Sequence, residues 1–360
     1  MKLIKKEFLF FIFLFLFLIF ITVYPKEINY IYDYIGWSTI RALSVLLLLT
    51  TALKLSNIFD YISAKFVTFL HTEKTLALFF VMLSMFLSMF LTNDITLFVV
   101  VPITISLKHI IKNDITKLVI FEAIAVNVGS LLTPIGNPQN LFLFREWGVG
   151  FYDFLRIMSP VFVISAVLLF LFTLTVFPKK PLEITDIKTP KPDKFLFFTT
   201  IVFFIVFIFA LEMHFVKILI PAVIMWFLII KKEVFLKFDY FLIFTFILMF
   251  IDFNIISNID FVKNIISSIN LNSLNVFNLS VAASQFMSNV PAAIFVSKFS
   301  HDYQAIAYGV NVAGNGFIIA SLANIIALRF LNSSKAYVDF HKYSIPYFIL
   351  SYLLVFVILD

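Results

Sequence analysis

The sequence predicts an all-α polytopic membrane protein built from inverted-topology repeats, and three observations carry that prediction. The first is composition: of 360 residues, 62% are hydrophobic, 13% are charged and 50 are phenylalanine, with a mean hydropathy of +1.04, far from the usage of soluble domains. The second is recurrence. Residues 88–93 (SMFLTN) and 284–289 (SQFMSN) share the pattern Ser-x-Phe-(Leu or Met)-(Thr or Ser)-Asn, and residues 126–141 (VNVGSLLTPIGNPQNL) align without gaps on 310–325 (VNVAGNGFIIASLANI). That alignment sets Asn127 on Asn311, Gly136 on Ala320 and Asn140 on Asn324. The third is charge. With the N-terminus in the cytoplasm, 20 of the 27 Lys+Arg residues fall on the cytoplasmic side of the predicted spans and 6 outside, as the positive-inside rule requires.

Each element follows from the length of apolar chain that crosses a bilayer, about 20 residues per helix. Residues 1–34 hold a first transmembrane helix (8–24) and an outer loop; Tyr24-Pro25-Lys26 is not a small-residue cleavage site, which argues against a signal peptide. The first repeat, 35–178, contains a span at 35–55, a re-entrant hairpin at 75–111 broken at Thr92-Asn93-Asp94, a broken helix at 117–146 and a span at 152–177. A cytoplasmic linker, 179–194, is rich in proline and charge and separates the halves. A connecting helix pair follows at 195–238. The second repeat, 239–360, contains a span at 239–256, a hairpin at 276–299, a broken helix at 303–328 and a last span at 343–359. The count is about nine crossings plus two hairpins and two unwound helices. The first hairpin is too long for one helix and has lysines at both ends, and the second is too short for two crossings, so both dip in and return. Segments 56–71 and 257–275, which precede the hairpins, mix apolar and polar residues and are expected to lie along the interface.

Composition also excludes function classes. The chain has no cysteine, which removes thiolate metal sites and thiol nucleophiles. The net charge of +6 is spread over short loops and forms no basic face, so nucleic acid is not an expected partner. The five histidines fall at span ends or loops without metal-ligand spacing. No paired catalytic carboxylate, and no nucleophile with a base, points to an enzyme.

The broken segments carry the chemistry. At a hairpin tip the helix stops, and its free backbone groups must be met by protein, water or an ion. Ser88 and Thr92 lie four apart on one helical face, and Ser284 and Ser288 repeat the spacing. With the amide oxygens of Asn93 and Asn289, they supply neutral oxygen ligands suited to a small cation. Thr133-Pro134-Ile135-Gly136-Asn137-Pro138 cannot continue a helix, and Gly314 and Gly316 soften the matching place in the second half. The two half-helices that follow would point positive dipole ends at the centre, which favours an anion there.

The TPIGNPQN run, the duplicated hairpin tips and the SNVPA and ASLAN segments resemble the ion transporter superfamily, which contains arsenical-pump membrane proteins, NhaD-type antiporters and divalent anion–sodium symporters. The resemblance spans roughly residues 35 to 359. It implies a secondary transporter in the cytoplasmic membrane, moving a small anion by alternating access coupled to Na⁺ or H⁺; a Na⁺/H⁺ antiporter without an anion substrate is the alternative. It implies one cation site at Ser88, Thr92, Asn93 and Gly136 and another at Ser284, Met287, Asn289 and Ala320, with Na⁺ as a candidate occupant. Substrate contacts would come from Asn93, Asp94, Asn137, Pro138, Asn289 and Ser321. The chain departs from the symporter branch at the third tip position, where Asp94 and Val290 stand in place of a hydroxyl. No cofactor is expected beyond the coupling ion; the expected partners are the anion, the lipid bilayer and a second copy in a homodimer.

Acids inside a membrane cost about 2.5–3.5 kcal/mol each on insertion scales and are functional candidates by default. Asp94, at the hairpin tip, is the candidate coupling carboxylate. Glu122 lies one turn into its span near Lys117, where snorkelling accounts for it, and Asp252 is expected to cap or pair near the outer surface.

Overall fold

The computed structural model describes residues 7–58, 61, 70–106, 115–181, 191–331 and 333–359, and all regular structure among them is helical. Before the first repeat lie α1 (Phe8–Val23) and the short α2 (Ile31–Tyr34). The first repeat runs through α3 (Trp37–Leu55), α4 (Glu73–Ser88), α5 (Asn93–Ser106), α6 (Thr116–Ser130), α7 (Pro138–Trp147) and α8 (Phe151–Val176). Then come the connecting helices α9 (Lys194–Glu212) and α10 (Val216–Ile230) and the single-turn α11 (Glu233–Leu236). The second repeat has α12 (Tyr240–Asn258), α13 (Asp260–Ser267), α14 (Ser273–Met287), α15 (Asn289–Val296), α16 (Tyr303–Ala313), α17 (Leu322–Phe330) and α18 (Ser334–Leu359).

The halves match element for element. α3 and α12 have 19 residues each, and α8 and α18 have 26 each. Between these, each repeat has a helical hairpin (α4–α5, α14–α15) and a helix in two pieces (α6–α7, α16–α17). Among the described residues five helices are long and apolar enough to cross a bilayer alone, namely α3, α8, α9, α12 and α18, and α1 with the segment after it passes the same test as a pair bent by 115°. The other predicted crossings depart from straight spans. Both broken helices are split, and α10 has only 15 residues, roughly 22 Å of rise.

Of the two predicted interfacial segments, 257–275 forms the eight-residue α13 and the start of α14. Most of 56–71 lies outside the described residues, as do Lys108 and Lys112 at the end of the first hairpin and residues 182–190 of the linker.

Local chemistry fixes the helix ends. The α4 start is a capping box, Thr72 and Thr75 satisfying each other's backbone N–H groups, and Glu73 N–H donates to Lys180 C=O at 2.9 Å. The free carbonyls at the end of α8 are met by lysines: Lys74 donates to Leu174 C=O at 2.6 Å and Lys117 to Val176 C=O at 3.4 Å, as cations at a helix C-terminus should. Asp193, Asp239, Asn272 and Asp302 cap α9, α12, α14 and α16.

Burial sorts the long helices. α3 and α12 are 72% and 61% buried across their apolar windows, whereas α8 and α18 are 28% and 22% buried, so the first span of each repeat lies inside and the last presents its apolar side outward. In each repeat the first hairpin arm packs on the first half of the broken helix, α4 on α6 and α14 on α16, while the second arm packs on the second half from the other repeat, α5 on α17 and α15 on α7. α6 passes so close to α4 that a Cβ on Gly129 would lie 1.9 Å from Met85 O and 2.2 Å from Ser88 Oγ. Gly129→Ala is therefore expected to force α4 and α6 apart and destabilise the protein by about 1–3 kcal/mol, read as a lower thermal midpoint of the detergent-purified protein.

Candidate functional site

The two breaks are the centre of the molecule. α6 stops at Ser130, and α7 begins with Pro138 at its first position, where no N–H is needed. Asn137 caps α7, its Oδ1 accepting from Asn140 N–H at 2.8 Å. Between the helices, Asn140 Nδ2 donates to the carbonyls of Ser130, Leu131 and Thr133 at 3.0–3.2 Å. In the second repeat Asn324 Nδ2 donates to Gly314 C=O at 2.8 Å and to Phe317 C=O at 3.5 Å. By the sequence alignment Asn324 matches Asn140, Gly314 matches Ser130 and Phe317 matches Thr133, so both breaks are held by the same contacts.

Each break is also braced by the opposite repeat. Asn127, on α6, donates through Nδ2 to Asn324 Oδ1 at 2.9 Å and to Gly314 C=O at 3.0 Å, and accepts from Ser321 Oγ–H at 2.9 Å. Its counterpart Asn311, on α16, donates to Asn140 Oδ1 at 2.7 Å and accepts from Asn137 Nδ2 at 3.0 Å. Contacts that exchange partners in this way relate the halves by a pseudo-two-fold. Asn127, Asn137, Asn140, Asn311, Ser321 and Asn324 are all buried. Asn137 and Ser321, expected to touch substrate, thus spend their side chains on the brace, while Pro138 is buried at the start of α7.

Both hairpin tips are fastened to the breaks. In the first half Thr133 Oγ1–H donates to Met89 C=O, and a Cβ on Gly136 would lie 2.8 Å from Ser88 O and 2.4 Å from Ser130 O. In the second half Gln285, at the position matching Met89, donates to Ala313 C=O at 3.0 Å and accepts from Phe317 N–H at 2.8 Å. The turn Ile318–Ala320 packs on α14. The serines of both tips donate back into their own helices, Ser88 to Met85 C=O at 3.0 Å and Ser284 to Ser280 C=O at 2.7 Å, and keep their lone pairs.

The tips then differ. At the first, Thr92 Oγ1 and Asn93 Oδ1 are buried without a hydrogen-bond partner, as is Thr96 Oγ1 one turn on; buried orphan oxygens at one tip fit a small cation. At the second, Asn289 Oδ1 accepts from Ser288 Oγ–H at 3.4 Å, Met287 is half-buried, and Asn315 Oδ1 in the break is the orphan. Ser288 itself has φ 74° and ψ 158°, a region populated almost only by glycine and costing about 1–3 kcal/mol.

Asp94 makes no hydrogen bond or ion pair among the described residues and does not cap α5 through its side chain. It lines a cleft of about 830 Å³ together with Thr51, Lys54, Asp239, Leu322 and Arg329, a volume in the range of small-molecule sites. The other two intramembrane acids differ from expectation. Glu122 does not snorkel toward Lys117, whose ammonium is spent on Val176 C=O and lies over the Phe177 ring; it is fully buried, accepting from Thr104 Oγ1–H. Asp252 neither caps nor pairs: it is fully buried with both oxygens unpartnered. No cluster of three His, Cys, Asp or Glu residues able to hold a metal occurs among the described residues.

Sequence reasoning aligned Asn127 with Asn311 and Asn140 with Asn324 without assigning them a role; their duplication inside otherwise apolar helices was the available signal. Gln285, Thr133 and Asn315 carried no such signal.

A helical membrane protein whose two repeats break a helix at matching places, and brace each break from the other half, is of the membrane transporter class. The chain belongs to the citrate transporter family, CitMHS, whose model matches residues 2–305, and so falls within the ion transporter superfamily. Among its relatives, it is 37% identical to the inner membrane protein YbiR of Escherichia coli over 90% of this chain and 88% of that protein. It is 35% identical to an uncharacterized transporter of Methanocaldococcus jannaschii over 86% and 84%. A more distant match is the P protein of Mus musculus, 28% identical over 45% of this chain and 21% of that protein.

Because Asn127 and Asn311 occupy equivalent braces, Asn127→Ala and Asn311→Ala are expected to destabilise the protein by similar amounts, about 2–3 kcal/mol each, by leaving buried amides and carbonyls unpaired. Thermal unfolding of the two purified variants checks this; a large loss in one with none in the other would contradict the reciprocal geometry.

Proposed function

We propose that this protein is a secondary active transporter that carries a small anion across the cytoplasmic membrane, coupled to Na⁺ or H⁺ by alternating access, with its N-terminus in the cytoplasm. The observation that carries the reading is the group of orphan oxygens at the first hairpin tip, Thr92 Oγ1 and Asn93 Oδ1, left unmet beside a helix break whose own carbonyls Asn140 satisfies. Such oxygens complete the shell of a dehydrated monovalent cation. The N-termini of α5, α7, α15 and α17 add positive partial charge for an anion.

In this reading the cations sit at Ser88, Thr92, Asn93 and Gly136, and at Ser284, Met287, Asn289 and Ala320. Asn137 and Ser321 serve the anion indirectly, by fixing the starts of α7 and α17, and Asn93, Asn289 and the backbone at Pro138 face it. The Asp94 cleft is the inward path, since Lys54, Asp239 and Arg329 beside it fall at the cytoplasmic ends of their helices in the charge-based topology. The family description names citrate, which makes carboxylates one class to test beside arsenite, sulfate and phosphate. Asp94 also favours a second reading, cation/proton antiport with no anion, because a carboxylate without a partner at the mouth of a cation site can trade H⁺ for Na⁺.

Two outcomes test the scheme in proteoliposomes. Asn93→Ala and Asn289→Ala should each weaken ion-dependent uptake and ion-induced thermal stabilisation without preventing membrane insertion; a normal ion response in either would refute the two-site scheme. Asp94→Asn should abolish the pH dependence of transport, since each charge moved inward couples to about 2.3 kcal/mol per 100 mV, while exchange of substrate without a gradient persists. An unchanged pH profile would remove Asp94 as the coupling carboxylate, and uptake of none of the anions would favour antiport.

A further inference from the structure

Glu122 lies apart from the hairpin-tip site, yet its surroundings are built. It is on α6, fully buried, with Oε1 accepting from Thr104 Oγ1–H of α5 and Oε2 without a partner. A carboxylate needs several donors, and one is present; protonation at Oε2 removes the charge and leaves one carbonyl, which that hydroxyl meets, and one O–H poised to leave. Thr104 is the far end of a stripe of buried threonines that winds gently along α5 through Thr96 to Thr92 at the tip, interrupted at Val100. The hydroxyl oxygens of Thr92 and Thr96 have no protein partner either. Buried threonines thus lie on either side of Val100 between the proposed cation site and Glu122.

Among the described residues no cation offsets this acid. The helices packed on α6 are α4, α5, α8, α16, α17 and α18. Their charged groups are Glu73 and Lys74 in the first turn of α4, Asp94 on α5, Asp153 and Arg156 at the start of α8, Arg329 on α17, and Lys335, Asp339 and Lys342 on α18, which also carries His341. Tyr152 on α8, Tyr303 and Tyr308 on α16, and Tyr337, Tyr343, Tyr347 and Tyr352 on α18, are the other titratable groups. Lys74 is bound to Leu174 C=O and Lys342 to Asp339, and among the described residues none of these groups pairs with Glu122. Lys117 on α6 itself is committed to Val176 C=O.

We propose that Glu122 is a second proton-binding carboxyl of this protein, joined to the first hairpin tip by the threonine stripe of α5 and exchanging its proton with the cytoplasmic side. The proposal rests on the reading of the protein as an ion-coupled transporter and adds to it a proton site distinct from Asp94. When the O–H bond at Oε2 breaks, the proton passes to water that enters as the helices move, and the carboxylate left behind keeps the Thr104 hydrogen bond.

Infrared difference spectroscopy of the purified protein in nanodiscs, between acid and alkaline buffer, reads the group directly. One protonated-carboxyl C=O band should be common to the wild type and Asp94→Asn, lost in Glu122→Gln while the bands of other acids remain, and shifted in Thr104→Val, which removes the hydrogen bond and keeps the volume. In proteoliposomes Glu122→Gln should lose the acid stimulation of uptake while counterflow of substrate continues, and Glu122→Asp should restore part of it; counterflow also reports that the variant is folded. A carboxyl C=O spectrum that is unchanged in Glu122→Gln overturns the proposal. So does a Glu122→Gln variant with the wild-type pH profile, and if the wild type responds to pH in that experiment, the transport reading stands while Glu122 falls. A wild type driven by sodium and indifferent to a pH gradient removes proton coupling altogether.

Discussion

A helix broken inside an apolar protein exposes backbone N–H and C=O groups that water cannot reach, and each one left unmet costs several kcal/mol. The rest of this structure depends on how that demand is met. Asn140 and Asn324 gather the loose carbonyls of their own breaks, and Asn127 and Asn311 then hold Asn324 and Asn140 from the opposite repeat. An asparagine suits this work because its amide offers two donors and an acceptor without a charge. The arrangement makes neither break stable alone. Each half supplies the part that completes the other, which ties the duplication of the chain to its fold.

With the breaks secured, the hairpin tips can carry strain and unmet polarity. The first tip keeps orphan oxygens at Thr92 and Asn93, and the second holds Ser288 in a backbone conformation that glycine alone adopts readily. Neither feature serves stability. Both are affordable because α4 and α14 are anchored along their length on α6 and α16, with Gly129 and Gly309 allowing close approach. Rigid supports with unsatisfied tips are what an ion site needs, since ligands that are already in place lose little entropy on binding.

Much of this was legible in the sequence. Composition gave the membrane class, the repeated Ser-x-Phe pattern located both tips, and two prolines with a glycine between Thr133 and Pro138 located the first break to within a residue or two. The second break was softer in sequence, with Gly314 and Gly316 and no proline, yet its geometry reproduces the first because the asparagines and not the prolines hold it. What sequence pattern could not supply was pairing across the halves. Asn127 lies in a run of aliphatic residues, and nothing local says that its partner is nearly two hundred residues away. Glu122 was misjudged for a related reason: its place one turn into its span, near Lys117, suggested a side chain snorkelling to the surface, whereas helix packing sends the lysine to the end of α8 and turns the acid inward to Thr104.

The fastenings of the two hairpins are made of different atoms. The first uses the backbone carbonyl of Met89, which every amino acid at that position would provide, and the second uses the side chain of Gln285, which few could replace. A point mutation can therefore loosen one gate directly while the other is immune to change at the matching position. Between two halves related by a pseudo-two-fold, that asymmetry is a place where inheritance can weaken one hairpin's fastening while leaving its twin as it was.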